Sequence, residues 1–378
     1  MPTELVLART IELCAVPAPP LDEADRAALV TGWWTADRID AVHSDRTGNV
    51  WGRVRAGTDR GAPALIVAAH LDTVFGREVA HGARREGDRL IGPGVGDDSV
   101  AVAALSALDR LLPAKLPHPV WILATVGEEG LGDLKGVTAA LAGPPPRVKI
   151  GALVAVEGNY LGRVNVVGVG SVRWRVTVTG PGGHAWEHAE EPSAVHEAIR
   201  MLAALIDVER PANERTSLNV GVVGGGESIN ARARRCVFEV DLRAEAASPL
   251  ADLVAAAKAV LTVEPPMELE IADLGFRPAG RLAEDHPLAL AAAGALAGQG
   301  IQPRFTAAST DANAAYARGV PAVTIGVTTG DGTHTEAEWI DVPPLATGLQ
   351  ALADTIVRYG ARPAEDDADA RPEGLETA

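Results

Sequence analysis

The amino-acid sequence predicts an α/β fold, a doubly wound and mostly parallel sheet with a smaller α+β domain inserted into it. In the first half of the chain, continuous aliphatic segments alternate with helix-like segments, as in parallel strands covered on both faces. Over residues 172–278 the strand-like segments instead alternate polar and apolar residues, which is typical of strands with one wet face. At 378 residues, the chain also exceeds the usual span of one hydrophobic core.

The first part of the large domain, residues 1–171, is expected to begin with a short amphipathic helix and to hold three buried strands. The strands are ALIVAA (64–69), PVWILATV (119–126) and IGALVAV (150–156). Two segments with apolar residues at helical spacing separate them, DSVAVAALSALDRLL (98–112) and DLKGVTAALA (133–142). These elements indicate a parallel sheet with crossover helices.

The inserted domain, residues 172–278, is expected to follow the order β-α-β-β-α-β, which resembles a ferredoxin-like domain. Its predicted elements are the strands at 172–180, 235–243 and 267–274 and the helices at 192–208 and 249–263. The second part of the large domain, residues 279–361, returns to the first pattern, with a helix near 287–298, a strand at 321–327 and a helix near 343–358. The acidic tail, residues 362–378, is expected to be disordered.

Charge and composition exclude several classes of partner. The 34 basic and 50 acidic residues give a net charge of −16, which argues against nucleic acid and anionic membranes. The sequence contains no run of about 18 apolar residues, so a membrane span is not predicted. The N-terminus does not resemble a secretion signal. With two cysteines, Cys14 and Cys236, the chain suits a reducing compartment, and a cytoplasmic location is predicted.

Carboxylates and imidazoles follow the predicted strands of the large domain, where ligands gather in doubly wound sheets. They are His70 and Asp72 after 64–69, Asp97 and Asp98 in the loop GPGVGDDS, Glu128 and Glu129 after 119–126, Glu157 after 150–156, and His334 after 321–327. In an extended chain, residues two apart point to the same side, so His70 and Asp72 can face one spot.

This crowding of carboxylates indicates a metal site, because unpaired carboxylates repel and burial raises the cost further. Two imidazoles with several carboxylates suit zinc, and the number of groups is too large for one tetrahedral ion. Two ions about 3.5–4 Å apart would satisfy them. Each residue alone also has a structural explanation: a loop histidine, a solvated Glu-Glu turn, or aspartates that cap a helix.

Six segments in order resemble the co-catalytic zinc exopeptidase and amidohydrolase family, which includes acetylornithine deacetylase, succinyl-diaminopimelate desuccinylase, aminoacylase and peptidase T. The segments are HLDTV, GPGVGDD, GEEGLG, VEG, GGHA and GTHTEAEW. The resemblance spans nearly the whole chain. It implies a zinc-exopeptidase-like fold in which the insert serves as a dimerisation and lid domain, so a homodimer is expected.

The resemblance also assigns roles in the metal centre. It implies two zinc ions per chain, for which cobalt or manganese could substitute. One zinc would take His70 and Glu157, the other Glu129 and His334, and Asp97 would bridge them. Asp72 would orient His70. Glu128 would act as the general base.

Substrate contacts are expected from the insert and from one loop of the large domain. His184 in GGHA would stabilise the oxyanion and reach the active site of the partner subunit. Asn230 and Arg243 would contact the carboxylate or carbonyl of the substrate, and Asp311 would lie near the pocket. Two departures affect these expectations: Ser99 stands where relatives often carry Lys or Arg, and Trp186 stands where they often carry Ser.

The predicted function is metal-dependent hydrolysis of amide bonds in small peptides by an activated water, with a glutamate as base. An alternative is a deacylase of N-acylated amino acids, which would share every metal ligand. A third reading is a non-catalytic, metal-binding dimer, which would not need Glu128 or His184.

Overall fold

The computed structural model describes residues 1–59, 61–210 and 215–360. The chain divides into two compact units, Met1–Gly168 with the segment from Arg281 onward, and Val169–Gly280. The predicted insert, 172–278, lies within the second unit. The acidic tail expected at 362–378 falls outside the described residues.

The described residues form the following elements. The helices are α1 (Pro2–Cys14), α2 (Ala24–Ala36), α3 (Val100–Leu105), α4 (Leu108–Leu111), α5 (Lys135–Ala142), α6 (Ala194–Ile206), α7 (Ala247–Val260), α8 (Pro287–Gly298), α9 (Ala312–Tyr316) and α10 (Leu345–Gly360). The strands are β1 (Asp40–Ser44), β2 (Val50–Arg55), β3 (Ala64–His70), β4 (Arg84–Glu86), β5 (Arg89–Ile91), β6 (Val120–Thr125), β7 (Ile150–Val156), β8 (Arg163–Gly168), β9 (Gly170–Thr179), β10 (Gly183–His184), β11 (Thr216–Gly225), β12 (Ala231–Arg232), β13 (Arg235–Ala244), β14 (Glu268–Arg277), β15 (Gly280–Arg281), β16 (Arg304–Ala308), β17 (Ala322–Ile325), β18 (Gly330–Asp331) and β19 (Trp339–Asp341).

The large sheet has the strand order β1-β2-β6-β3-β7-β17-β8-β15, with β16 beside β8. Its central strands β6, β3, β7 and β17 are parallel, whereas β2 and β8 run antiparallel to their central neighbours. Strands β3 and β6 are buried along their whole length, as their unbroken aliphatic sequences require. The predicted α/β fold with a mostly parallel sheet is confirmed.

The second unit contains a four-stranded antiparallel sheet with the order β11-β13-β9-β14. Its main elements follow one another as β9, α6, β11, β13, α7 and β14, the β-α-β-β-α-β order expected of a ferredoxin-like domain. Ala198, Met201 and Leu205 of α6 join the core that the sheet and α7 form. The core positions of α6 recur at helical spacing, which accounts for its packing on the sheet.

The predicted helix at 98–112 is shorter and interrupted. A wide turn, Val95–Ser99, in which the Ser99 N–H donates to the Gly94 carbonyl at 3.1 Å, precedes α3, and a break after Leu105 separates α3 from α4. Asp97 and Asp98 have non-helical backbone angles, and both side chains belong to the cluster described below. At the break, Ser106 accepts a hydrogen bond from the Trp34 indole. Apolar spacing alone did not reveal either interruption.

No helix among the described ranges is long and apolar enough to cross a membrane.

Candidate metal centre

The carboxyl ends of three neighbouring strands carry the candidate ligands. His70 is the last residue of β3 and pairs in register with Thr125, the last residue of β6. Glu128 and Glu129 follow β6 by a few residues, and Glu157 follows β7 directly. Because these strands are parallel neighbours, their ends meet at one edge of the sheet. The fold therefore brings these residues together, as the sequence predicts.

Asp97 contacts both candidate imidazoles. Its Oδ1 lies 2.9 Å from His70 Nε2, and its Oδ2 lies 3.2 Å from His334 Nε2. The same His334 nitrogen lies 3.0 Å from Glu129 Oε1. One carboxylate thus joins two imidazoles through its two oxygens, the arrangement expected of a residue that bridges two cations.

Two groups of donor atoms share His70. One comprises His70, Asp97 and Glu129, and the other His70, Asp98 and Glu157, with the atoms of each group within 4.8 Å of one another. Asp98 was not predicted as a ligand. Its carboxylate also accepts the backbone N–H groups of His70 at 3.2 Å and Gly158 at 2.9 Å. Asp98 therefore braces the strand end that carries His70 and the turn that follows Glu157.

Asp72 connects the His70 segment to the loop after β6. Its carboxylate accepts the backbone N–H of Glu128 at 3.0 Å and that of Glu129 at 2.7 Å. His70 Nδ1 lies 3.0 Å from the carbonyl oxygen of Asp72 and 3.5 Å from its Oδ1. Since a carbonyl oxygen only accepts, Nδ1 carries the proton and Nε2 faces Asp97. The ring is thus oriented with Nε2 toward the cluster.

Glu338 is a buried residue that the sequence analysis missed. Its Oε1 accepts the backbone N–H groups of Gly96 and Asp97 at 2.9 and 2.8 Å, and its Oε2 accepts that of Gly94 at 2.8 Å. Burial, together with the charge of Asp97, raises the pKa of Glu338 to about 8. Nothing in the segment TEAEW distinguishes this carboxylate from a solvated one, so no sequence signal could have identified it.

Burial and mutual contact shift the acid–base equilibria of the cluster. Burial opposes protonation of His70, but hydrogen bonds to Asp72 and Asp97 hold its pKa well above the ordinary value. Contacts with Asp97 and Glu129 raise the pKa of His334 to about 10. Burial also raises the pKa of Asp98 and of Glu157, whereas the two imidazoles, against the effect of burial, lower that of Asp97. In the metal-free chain, protons bound by these imidazoles and carboxyl groups therefore offset part of the negative charge of the cluster.

The residues proposed from the insert lie in the second unit. His184 in β10 pairs with Ala231 in β12, and Ala185 donates its N–H to the Asn230 carbonyl at 2.8 Å. His184 Nδ1 accepts the backbone N–H groups of Trp186 and Glu187 at 3.3 and 3.4 Å. A neutral His184 ring therefore carries its proton on Nε2, which makes that nitrogen a hydrogen-bond donor.

The remaining two proposed residues have clear partners. Arg243 in β13 donates to both oxygens of Asp241, at 2.7 and 3.1 Å. Asp311 is buried in the first unit, where its Oδ2 accepts the Thr125 hydroxyl hydrogen bond at 2.7 Å, beside the end of β6. Asp311 thus lies near the loop with Glu128, whereas Arg243 is already ion-paired within the second unit.

The profile of the peptidase family M20/M25/M40 matches residues 66–358, well over half of the chain. The chain belongs to this family. The match begins in β3 and ends in α10, so it includes every candidate metal ligand. The family resemblance drawn from the six ordered segments is therefore confirmed.

Sequence similarity to an individual protein covers about two thirds of the chain. The chain is 30% identical over 275 residues to a probable carboxypeptidase of Aspergillus clavatus, which corresponds to 65% of this chain and 59% of that protein. It thus spans about three-fifths of the length of this curated relative.

Two solved structures share the fold over most of their length. The aminopeptidase PepT from Bacillus cereus has a TM-score of 0.76 and 21% identity, covering 95% of this chain and 99% of its own. A dinuclear metal binding peptidase of the M20 family from Bacillus subtilis has a TM-score of 0.64 and 15% identity, covering 94% and 98%.

The donor set of this M20/M25/M40 member fits the metal that such a family requires. Two imidazole nitrogens and several carboxylate oxygens converge at this edge of the sheet, a ligand set that suits zinc. The His70 side chain is buried, whereas that of His334 is 53% exposed. His70 Nδ1 is held by a carbonyl oxygen, which leaves Nε2 as the ligand atom. His70 and Glu157, with Asp98 beside them, could hold one ion, and His334, Glu129 and Asp97 a second.

Proposed function

We propose that this chain is a di-zinc exopeptidase that hydrolyses amide bonds of small peptides. The observation that carries the proposal is Asp97, whose two oxygens contact the two imidazoles of the cluster. A carboxylate so placed can serve two ions at once. The probable carboxypeptidase and the aminopeptidase among its relatives support peptides as substrates.

Glu128 is proposed as the general base. Bound zinc would supply Lewis acidity, which makes a water molecule acidic enough to react near neutral pH. Glu128 is almost fully buried, and Asp72 fixes its backbone N–H. Glu128 would accept the proton of the attacking water and later deliver it to the leaving amine.

Residues of the second unit are proposed to act on the substrate. The Nε2–H of His184 would donate, in the active site of the partner subunit, to the oxyanion that forms on the carbonyl oxygen. Asn230 and Arg243 would bind the carboxylate or carbonyl of the substrate, and Arg243 would then share its guanidinium between Asp241 and the substrate. Asp311, from the first unit, would lie near the substrate pocket, beside the end of β6.

Replacing neighbouring glutamates tests the base. We expect Glu128→Gln to keep both zinc ions and to lose about 10²–10⁴-fold in kcat, because Gln cannot take up a proton. Glu129→Gln, its matched control, should instead bind less zinc, because Glu129 contacts His334. Metal content and dipeptide hydrolysis are measured on both variants. Wild-type turnover by Glu128→Gln would remove Glu128 from this role.

The alternative activity, deacylation of N-acyl amino acids, differs only in substrate. A screen of dipeptides against N-acetyl amino acids with the zinc-loaded chain separates the two. We expect higher kcat/KM for dipeptides. A preference for N-acetyl amino acids would transfer the assignment to the deacylases, and two bound zinc ions without any turnover would favour the non-catalytic dimer.

The second unit is proposed to form a homodimer. Strand β11 lies at the edge of its sheet, with Val222 and Val223 exposed, and Ile199 and Ile206 of α6 are 58% and 64% exposed. An open strand edge beside exposed aliphatic side chains favours association with a second copy.

Changing one apolar side chain in this surface tests the dimer. We expect the wild type to have twice the chain mass of 39.1 kDa in solution, and Ile206→Glu to shift it toward the monomer, because burying the new carboxylate is costly. Leu290→Glu, at an exposed leucine of α8 in the first unit, is the control. Light scattering after gel filtration measures the mass, and a monomeric wild type would contradict the proposal.

A further inference from the structure

Arg26 in α2 is a fully buried arginine that the proposed mechanism does not use. A guanidinium is always charged at physiological pH, and its burial is costly unless its donors find partners. A leucine or methionine at this core position would avoid that cost. The contacts of the side chain therefore indicate what it does.

The Arg26 side chain joins three segments of the first unit. Its Nε donates to the Val16 carbonyl at 2.8 Å. Its Nη1 donates to the Leu71 carbonyl at 2.9 Å and to the Ser99 hydroxyl at 3.2 Å. Leu71 lies between His70 and Asp72, and Ser99 directly follows the Asp97–Asp98 pair. The Arg26 side chain thus connects the segment that contains His70 with the segment that contains Asp97.

The surroundings of Arg26 bear on the charge of its guanidinium. Burial raises the pKa of the neighbouring Cys14 thiol to about 11, so Cys14 is a neutral thiol near pH 7 and offers no negative charge. Asp72 is the carboxylate whose charge favours the charged guanidinium, against the effect of burial, which lowers the pKa of Arg26. The carboxylate that holds the Glu128 and Glu129 backbone therefore also favours the charged form of Arg26.

We propose that Arg26 is a positioning residue of the metal centre, which holds the His70–Asp72 segment and the Asp97–Ser99 segment at the spacing that both zinc ions need. It acts through the Leu71 carbonyl and the Ser99 hydroxyl, and its own nitrogens bind neither metal nor substrate. The inference rests on the proposed di-zinc function.

Removing Arg26 has two effects on zinc binding, and their signs are opposite. A nearby positive charge repels a dication, so loss of the charge alone would tighten zinc binding. Loss of the connection between the two segments would displace the ligands and weaken zinc binding. The direction of the change therefore separates positioning from simple electrostatics.

The experiment measures the zinc dissociation constant of the full chain by competition with a chromophoric chelator. We expect Arg26→Met to bind zinc at least tenfold more weakly than the wild type. Arg26→Lys keeps the charge but lacks the fork that reaches both acceptors, so we expect an intermediate loss of about three- to tenfold. Arg9→Met is the matched control, because Arg9 is also buried but bonds Asp37, away from the cluster.

An effect of Arg26 on zinc binding can be separated from an effect on stability. Both methionine variants should unfold at lower temperature, but Arg9→Met should bind zinc within threefold of the wild type. Unchanged or tighter zinc binding by folded Arg26→Met, or equal weakening in both variants, would overturn the positioning role. Should Arg26→Met not fold, wild-type affinity in Arg26→Lys would overturn it. A wild-type chain that binds no zinc would instead refute the proposed function.

Discussion

Two buried carboxylates that are not candidate ligands hold the backbone of the candidate centre. Asp72 accepts the N–H groups of Glu128 and Glu129, and Glu338 accepts those of Gly94, Gly96 and Asp97. A carboxylate that accepts two or three backbone N–H groups ties several points of a loop to one side chain, and in its ionised form each of these hydrogen bonds is charge-assisted. The ligand side chains therefore start from rigid backbone.

Asp72→Asn tests this role at the scale of one residue. The Asn amide would place an NH2 group where one of the two backbone donors needs an acceptor, so we expect zinc affinity to fall about 10–100-fold. Asp45→Asn is the control, because Asp45 Oδ1 likewise accepts three backbone N–H groups, in the turn between β1 and β2. Equal zinc affinity in Asp72→Asn and wild type would contradict the role.

At the scale of the element, sequence patterns predicted most of what lies in regular strands. Unbroken aliphatic runs indicated β3, β6 and β7, and carboxylates or imidazoles after them indicated the candidate ligands. The patterns could not show that Asp98, Glu338 and Arg26 are buried, because a buried charge depends on partners distant in sequence. Nor did helical spacing reveal the break between α3 and α4, where tertiary contacts decide the geometry.

Close backbone packing between two loops gives a test at this scale. A Cβ on Gly158 would lie 2.2 Å from the Gly96 carbonyl oxygen, so Gly158→Ala must separate the turn after Glu157 from the Asp97 loop. We expect weaker zinc binding and a loss of about 1–3 kcal/mol in unfolding free energy. Metal titration and denaturant unfolding measure the two effects.

Gly32→Ala is the control, and its expected sign is opposite. Gly32 lies within α2, and a Cβ there would meet no atom within 4 Å. Alanine should therefore stabilise the chain by about 0.4–1 kcal/mol and leave zinc binding unchanged. Equal behaviour of the two variants would show that crowding at Gly158 has no consequence for the cluster.

At the scale of the whole molecule, pH should affect the metal-free and the zinc-loaded chain differently. The pKa of His334 is raised to about 10 and that of Glu338 to about 8 in the folded, metal-free chain. Above the ordinary values of these groups, the folded state binds more protons than the unfolded state, so stability falls as pH rises. Zinc replaces those protons, so its affinity rises with pH.

We therefore expect the unfolding temperature of the chelator-treated chain to fall between pH 6.5 and 8.5, and the increase that saturating zinc produces to grow over the same range. Thermal unfolding followed by circular dichroism measures both. Calorimetric zinc titrations in buffers of different ionisation enthalpy should record proton release. If zinc raised the unfolding temperature by the same amount at every pH, zinc binding would not be coupled to proton release, and the prediction would be contradicted.

The candidate ligands are widely separated in the sequence, and this separation bears on biosynthesis. His334 meets Glu129 across 205 positions, and the whole second unit is synthesised between them. A nascent chain on the ribosome cannot complete the cluster until His334 has emerged. Binding of the second ion should therefore be a late event, and a chain arrested before His334 should lack high affinity for that ion.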